Sequence, residues 1–464
     1  MDLNGKRVLV VGLGKSGVAS ALFLKSRGAR VTVSDTKAED ELRDQMPVLL
    51  DQGITVETGG HGERTFRAQD LIVVSPGVPV DTPPLAQARA LARTIIGEIE
   101  LAAQFLPGSV IAITGSNGKT TTTTLIGEIL QAGGLPTLVG GNIGTPAISL
   151  VSEATPQTVV VLEVSSFQLE TIQTFRAHIA VILNVTPDHL DRHRTWQAYV
   201  EAKRRIFENQ DCRDFAVLNR DDPTCVAMAD STKSQVFWFS RQRRVDQGAW
   251  VHEGQITFSD GRGTRDVMSV SDVPLKGGHN LENVLAAVAA AMVMGCDPDS
   301  VRRAVRTFKA VEHRLEYVAT VRGVEYFNDS KATNVDAAIK ALESFPANIH
   351  LILGGKDKRS DYRVLNQLLR QRVKRVYTIG AAAQKIESEI MGAAEIVHAQ
   401  TLQAAVNRAA VAATVGDIVL LAPACASFDQ FQNYEHRGRA FKEAVRALAE
   451  EARAEDAVPK PRSG

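Results

Sequence analysis

Short apolar runs alternate with stretches of helical period along almost the whole chain. "RVLVVG", "RVTVSD", "DLIVVS", "VIAITG", "TVVVLEV", "AVILNV", "FAVLN", "IHLILGG", "RVYTIG" and "DIVLLAP" read as strands. Runs of this kind suit strands buried on both faces, and the helical segments between them predict parallel α/β sheets. One stretch breaks the rhythm. From Ser240 to about Val270, alternating runs and glycine turns ("WVHEGQITFSDGRG") predict antiparallel strands. Boundaries near Gly97 and Val311 divide the chain into three α/β domains, 1–97, 98–311 and 312–464. No repeat of solenoid period is visible. The polar tail "EEARAEDAVPKPRSG", with two prolines, is expected to fray.

A length of 464 residues exceeds one ordinary core, in keeping with that division. Lys plus Arg and Asp plus Glu both total 53, so overall charge gives no reason to expect nucleic acid or a membrane surface. The start, "MDLNGKRVLVVGLGKSG", enters a strand without a secretory apolar core. The longest apolar run, "LAAVAAAMVMG" from Leu285, is about half of the ~20 residues that span a bilayer. Cys212, Cys225, Cys296 and Cys425 lie far apart with no CxxC pair, which fits neither a zinc site nor a disulfide scaffold. A cytoplasmic home without membrane insertion is the expectation.

The stretch "VIAITGSNGKTTTTT" carries the most specific chemistry. A strand runs into Gly115, Ser116, Asn117, Gly118 and Lys119, then a helix. Such glycines let backbone N–H groups turn toward an anion, the helix N-terminus adds its positive dipole end, and Lys119 adds a full charge. Thr120 puts a hydroxyl where Mg²⁺ is held beside phosphates. The strict pattern has a glycine where Ile113 stands. A nucleoside triphosphate site is expected here, against an ordinary turn and capped helix.

That site needs an acidic metal partner. In "TVVVLEVSSFQLE", Glu163 interrupts an apolar strand, where a carboxylate calls for a cation or a basic side chain. In "AVILNVTPDHLDRH" a strand ends at Asn184, and Asp188 and His189 follow at the carboxyl edge, where α/β ligands bind. "VGLGKSG" places Gly12, Gly14 and Gly17 after the first strand, with Asp35 closing the next. This spacing is the dinucleotide fingerprint, and it leaves open NAD or another pyrophosphate ligand. "VVSPGVP" at 73–79 adds a turn at the same edge. Near the end, "YFNDSKATN", "LGGKDKRSDY" and "LLAPACASFDQFQNYEHRG" each follow a strand. Together they look like one rim of a pocket, although each alone suits a capped loop.

"TGSNGKTTT", "LEVSSFQL", "NVTPDHLDRH", "GGHNLENVLAA", "HRLE", "NDSKATN" and "ACASFDQF" occur in order across nearly the whole chain. Through them it resembles the Mur ligase family of ATP-dependent amide-forming enzymes. The resemblance implies a Rossmann-like N-terminal domain for a UDP-linked substrate, a central P-loop ATPase domain and a Rossmann-like C-terminal amino-acid domain. It favours UDP over NAD for the first glycine turn. The ending "APACASFDQFQNYEHRG" implies D-glutamate as the amino acid and UDP-N-acetylmuramoyl-L-alanine as its acceptor, joined through an acyl phosphate in peptidoglycan precursor synthesis. The implied cofactors are ATP and Mg²⁺, and a monomer is expected.

By motif position, the resemblance puts Gly115, Ser116, Asn117, Gly118, Lys119, Thr120, Thr121, Asn280, Arg314 and Asp329 on ATP. Thr120 and Glu163 would hold one Mg²⁺, and His189 a second. Lys203, in "YVEAKRRIFEN", reads by itself as one of three bases on a solvated helix face. The resemblance makes it the lysine that this family carbamylates near the second metal. Lys119, His189 and Lys203 are thus the implied catalytic residues. Thr333, Lys358, Ser427 and Phe428 match the D-glutamate pocket, and Ser16, Asp35, Thr36, Gly77 and Asn142 the UDP-substrate contacts. Lys15 puts a charge into the first glycine turn, and Tyr434 stands where an aromatic wall is expected. A sister ligase, an NAD-dependent oxidoreductase and a non-catalytic nucleotide-binding regulator are the competing readings.

Overall fold

The computed structural model describes residues 1–309 and 311–457. Among them the chain folds into three sheets of five, nine and six strands. The first is wholly parallel: β1 (Arg7–Val11), β2 (Arg30–Ser34), β3 (Thr55–Glu57), β4 (Leu71–Val74) and β5 (Thr94–Gly97), in the order β3-β2-β1-β4-β5. The second holds β6 (Ser109–Thr114), β7 (Thr137–Gly141), β8 (Val159–Glu163), β9 (Ile179–Ile182), β10 (Phe215–Asn219) and β11 (Gln235–Ser240), continued by β12 (Gln247–His252), β13 (Gln255–Asp260) and β14 (Thr264–Ser269). Its order is β14-β13-β12-β11-β10-β9-β6-β8-β7. The third holds β15 (Glu316–Val321), β16 (Val324–Asn328), β17 (Ile349–Gly354), β18 (Val373–Ile379), β19 (Glu395–Gln400) and β20 (Ile418–Leu421), in the order β15-β16-β20-β17-β18-β19. Each of the ten apolar runs read as strands forms one, while the longest apolar run, from Leu285, lies almost wholly in the helix Gly278–Val293.

One expectation needs correction. The antiparallel pairing starts later than Ser240: β12 still lies parallel to β11, and only β12–β13 and β13–β14 are antiparallel. β12 returns parallel to β11 across only the six residues 241–246, whereas the turns at Glu253-Gly254 and Gly261 close hairpins. The first part of the tail, as far as Ala457, is helical. The helix Tyr434–Ala457 continues past position 450, because its Ala, Glu and Arg residues are good helix formers whatever their polarity. The rest of the tail, with its two prolines, lies outside the described residues.

The chain divides into two compact units. One takes 1–185, 195–273 and 282–308, and the other takes 186–194, 274–281 and the chain from Lys309 on. In the first unit the two sheets are tied by one apolar core, in which Val8, Val33 and Ile96 join Ala112, Val160 and Ile182. Phe23 and Phe105 meet edge to face at 5.1 Å, with the Arg27 guanidinium over both rings. The second unit packs its sheet between two cores, one built on Leu351, Leu353 and Leu420, the other on Ile352, Val419 and Phe441.

Candidate functional site

β6 sits between β8 and β9, so the chain crosses to either side of it and leaves a crevice at its carboxyl end. The loop 115–118 and the helix Lys119–Ala132 open there. Gly115 and Gly118 both have positive φ, 151° and 86°. A Cβ at Gly118 would overlap the Asn283 side-chain oxygen, so glycine is required on both counts. Asn184, just beyond β9, braces the loop. Its backbone carbonyl accepts from Ser116 N–H at 2.9 Å, its side-chain oxygen accepts from Asn117 N–H at 2.9 Å, and its amide donates to Asn117 O at 3.1 Å. Lys119 curls over the loop and donates to the Gly115 and Ser116 carbonyls at 2.9 and 3.0 Å.

Glu163, the last residue of β8, is 1% exposed. It accepts from the Thr120 hydroxyl at 2.7 Å and from the Asn142 amide at 2.9 Å. No basic side chain pairs with it among the described residues, which rules out the salt bridge considered from sequence. A buried carboxylate beside a hydroxyl, held only by neutral donors, is a hard oxygen set of the kind Mg²⁺ takes. Asn142, expected at the UDP substrate, is therefore in direct contact with the residue expected at the metal.

Lys203 is not on a solvated face. It is 1% exposed on the helix Trp196–Arg204, and its ammonium donates to the Gly115 carbonyl at 2.8 Å. That ammonium lies 4.6 Å from the centre of the Tyr199 ring, whose hydroxyl bonds Ser116 Oγ at 2.9 Å. Helical period put this face against the sheet; the charge of the lysine concealed it.

In the second unit, the ends of β16, β20 and β17 are neighbours, so the last three sequence motifs do share one edge. A cavity of about 480 Å³ is lined there by residues including Asp188, His189, Asn334, Lys358 and Arg359. Asp188 accepts from the Asn334 amide at 2.9 Å and pairs with Lys358 at 3.4 Å and His189 at 3.5 Å. Of the four residues matched to D-glutamate, Lys358 alone lines this cavity. Ser427 is buried, Thr333 is half-buried, and the Phe428 ring is 68% exposed.

Asp329 follows β16, where burial pushes its carboxyl up to about 7 against the opposing charges of Arg314 and Arg437. Arg314 sits in a turn held by left-handed His313 (φ 67°) and Leu315 (φ 42°), with the His313 ring against the Asn328 amide. The Asn280 amide donates to Lys276 O at 2.7 Å. The Lys331 ammonium lies 3.7 Å from the centre of the Tyr434 ring, in cation–π contact with it.

In the first sheet the order reverses between β1 and β4, which puts Gly12, Ser16 and Gly77 at one crevice. A Cβ on Gly17 would overlap the Gly12 carbonyl, so helix and turn meet there only through glycine. Asp35 is held inside this turn, accepting from Leu13 N–H at 2.7 Å and Lys37 N–H at 2.9 Å, with Thr36 between its partners. All four cysteines are free thiols, as their spacing implied. No helix among the described residues is long and apolar enough to cross a membrane.

Comparison with known proteins adds a family. Residues 6–97 match the Mur ligase MurD-like N-terminal domain, 113–291 the Mur ligase middle domain, and 313–425 the Mur ligase glutamate ligase domain. The chain is 66% identical over 451 residues to the UDP-N-acetylmuramoylalanine–D-glutamate ligase of Koribacter versatilis, covering 97% of this chain and 99% of that one. Among solved structures, a pseudomurein peptide ligase type C from Methanothermus fervidus shares the fold at a TM-score of 0.62 and 21% identity, over 96% of this chain and 100% of that one. The MurF ligase from Thermotoga maritima in complex with ADP does so at 0.59 and 17%, over 98% and 100%.

Proposed function

Because this chain belongs to the Mur ligase family, we propose that it joins D-glutamate to UDP-N-acetylmuramoyl-L-alanine at the expense of ATP. The observation that carries this reading is the Thr120 hydroxyl on the buried Glu163 beside the glycine loop, with the Asn142 amide as its other side-chain donor. A free carboxylate is a poor acyl donor. Its oxygen attacks the γ-phosphorus of ATP, ADP departs, and the acyl phosphate has a good leaving group. The amine of D-glutamate then attacks that carbonyl, loses a proton, and phosphate leaves with the bonding pair.

The loop N–H groups and Lys119 hold the phosphates and offset the charge gathered on the transferring group. Lys119 does so by exchanging the Gly115 and Ser116 carbonyls for phosphoryl oxygens. Thr120 and Glu163 would hold one Mg²⁺, which when bound neutralises phosphoryl charge, and the family pattern gives His189 and Lys203 a metal-binding role each. Asn280, Arg314 and Asp329 face ATP in this reading, with Thr121 behind the loop. Thr333, Lys358, Ser427 and Phe428 receive D-glutamate, and Ser16, Asp35, Thr36 and Gly77 the UDP moiety, with Asn142 toward the acceptor. The division 1–97, 98–311 and 312–464 assigns UDP, ATP and amino acid in turn. The enzyme works as a monomer in the cytoplasm, where ATP and nucleotide-linked precursors are found.

The test is phosphate release and amide formation from ATP, Mg²⁺ and UDP-N-acetylmuramoyl-L-alanine, with D-glutamate against L-glutamate, L-lysine and meso-diaminopimelate. Turnover with D-glutamate alone is expected, and turnover with another amine makes this a sister ligase. Lys119→Ala and Glu163→Ala should each lower kcat at least 1000-fold, on the order of 4 kcal/mol of transition-state stabilisation, with an unchanged circular dichroism spectrum. Wild-type-like rates in either variant would refute the assigned roles.

A further inference from the structure

The cavity in the second unit holds more charge than its assigned residue accounts for. Its acidic groups are all engaged. Asp188 pairs with Lys358 and Asn334, Asp336 with Lys340 at 3.1 Å, and Asp361 with Arg363 at 2.8 Å. Lys358 therefore arrives at the cavity already partly neutralised. Arg359 lines the same cavity, is exposed, and makes no ion pair or side-chain hydrogen bond among the described residues. Its backbone is left-handed, with φ 61°. A long side chain rarely adopts that conformation, which glycine takes without strain. The chain thus holds a guanidinium at the cavity in a conformation that local preference opposes.

D-glutamate brings two carboxylates, and among the residues matched to it Lys358, already half-neutralised, is the one cation beside the hydroxyls of Thr333 and Ser427. Leu190, Val335, Ile339 and Val364 give the cavity an apolar wall suited to the methylenes between them. We propose that Arg359 recognises one of the two carboxylates of the amino-acid substrate, leaving the other to Lys358. The planar fork of a guanidinium matches a carboxylate with two parallel N–H donors, which makes Arg359 a specificity-determining residue for a dicarboxylic amino acid. This rests on the ligase reading above.

The experiment compares wild type, Arg359→Gly and Arg359→Lys in the complete reaction, with D-glutamate, D-glutamine and D-isoglutamine. Each amide is scored as a substrate or, failing turnover, as a competitive inhibitor. Glycine relaxes the left-handed position, so the thermal midpoint of Arg359→Gly should not fall. Its KM for D-glutamate should rise about 10- to 100-fold, the loss of one charge-assisted contact, with kcat and the KM for ATP changed far less. One of the two amides, the one lacking the carboxylate that Arg359 holds, should be insensitive to the substitution. Arg359→Lys should recover part of the loss.

An unchanged KM for D-glutamate in Arg359→Gly would overturn the proposal. So would an equal penalty on D-glutamate and both amides, which signals a deformed pocket. Failure of wild type to use D-glutamate is a separate result, and it refutes the ligase reading itself.

Discussion

Glu98 and Glu100 sit two residues apart at the start of the helix Glu98–Ala103, on opposite faces and both buried, and their environments drive them in opposite directions. Glu100 accepts from the backbone N–H groups of Gln173, Thr174 and Phe175, and these bonds hold it below the usual carboxylate range despite burial. Glu98 has Ile148 N–H at 2.7 Å, and burial pushes it up to about 7. Below its ordinary value of 4.5, Glu98 is protonated in both folded and unfolded chains. As pH rises toward 7 the unfolded chain releases the proton and the folded chain keeps it, so stability falls with pH across that window. The loss amounts to about 3 kcal/mol. Urea unfolding from pH 4.5 to 8 should therefore show Glu98→Gln gaining about that much on wild type. A constant difference would show that Glu98 stays ionised. At the same scale, Gly118→Ala combines a left-handed strain of about 1–2 kcal/mol with the overlap on Asn283. It should raise the KM for ATP at least tenfold, measured by phosphate release at saturating acceptor.

The long helix Tyr434–Ala457 is anchored by one residue that periodicity did not reveal. Arg437 is fully buried and donates to Ser330 Oγ and to the carbonyls of Ser330, Cys425 and Ala426. It thereby joins the loop after β16 to the loop after β20. Its desolvation lowers its pKa to about 10, with Asp429 and Asp329 among the groups opposing the shift. Arg437→Ala removes these bonds and leaves several carbonyls unpaired, at a cost of about 3–5 kcal/mol. Arg437→Lys should recover little, since an ammonium cannot reproduce the fork. Chemical denaturation followed by tyrosine fluorescence checks both; a stable Arg437→Ala protein would mean that water or neighbouring donors satisfy the carbonyls.

Over the whole chain, the shared core of the first two sheets contrasts with the separate cores of the third. Calorimetry should resolve two transitions instead of three, with the first two sheets melting together. A non-hydrolysable ATP analogue at about 100 times its Kd should stabilise the transition containing the glycine loop by about 2.7 kcal/mol. Three separable transitions would show that the common core is too weak to couple those sheets.

What the sequence determined by itself was what strands, turns and contiguous motifs encode. Continuous apolar runs can be satisfied only in sheets covered on both faces, so the parallel strands followed directly. A glycine loop, a lysine and a threonine at consecutive positions fold locally into a phosphate cradle whatever surrounds them. Tertiary structure decided what depends on residues far apart in the chain. Asn184 braces a loop nearly seventy positions away. Lys203, polar by type, is buried because the helix face it occupies closes on Gly115. Arg359 stood unnoticed beside Lys358, since its meaning lies in which neighbouring carboxylates are already taken. Burial and pairing are properties of a neighbourhood, and only the folded chain assembles one.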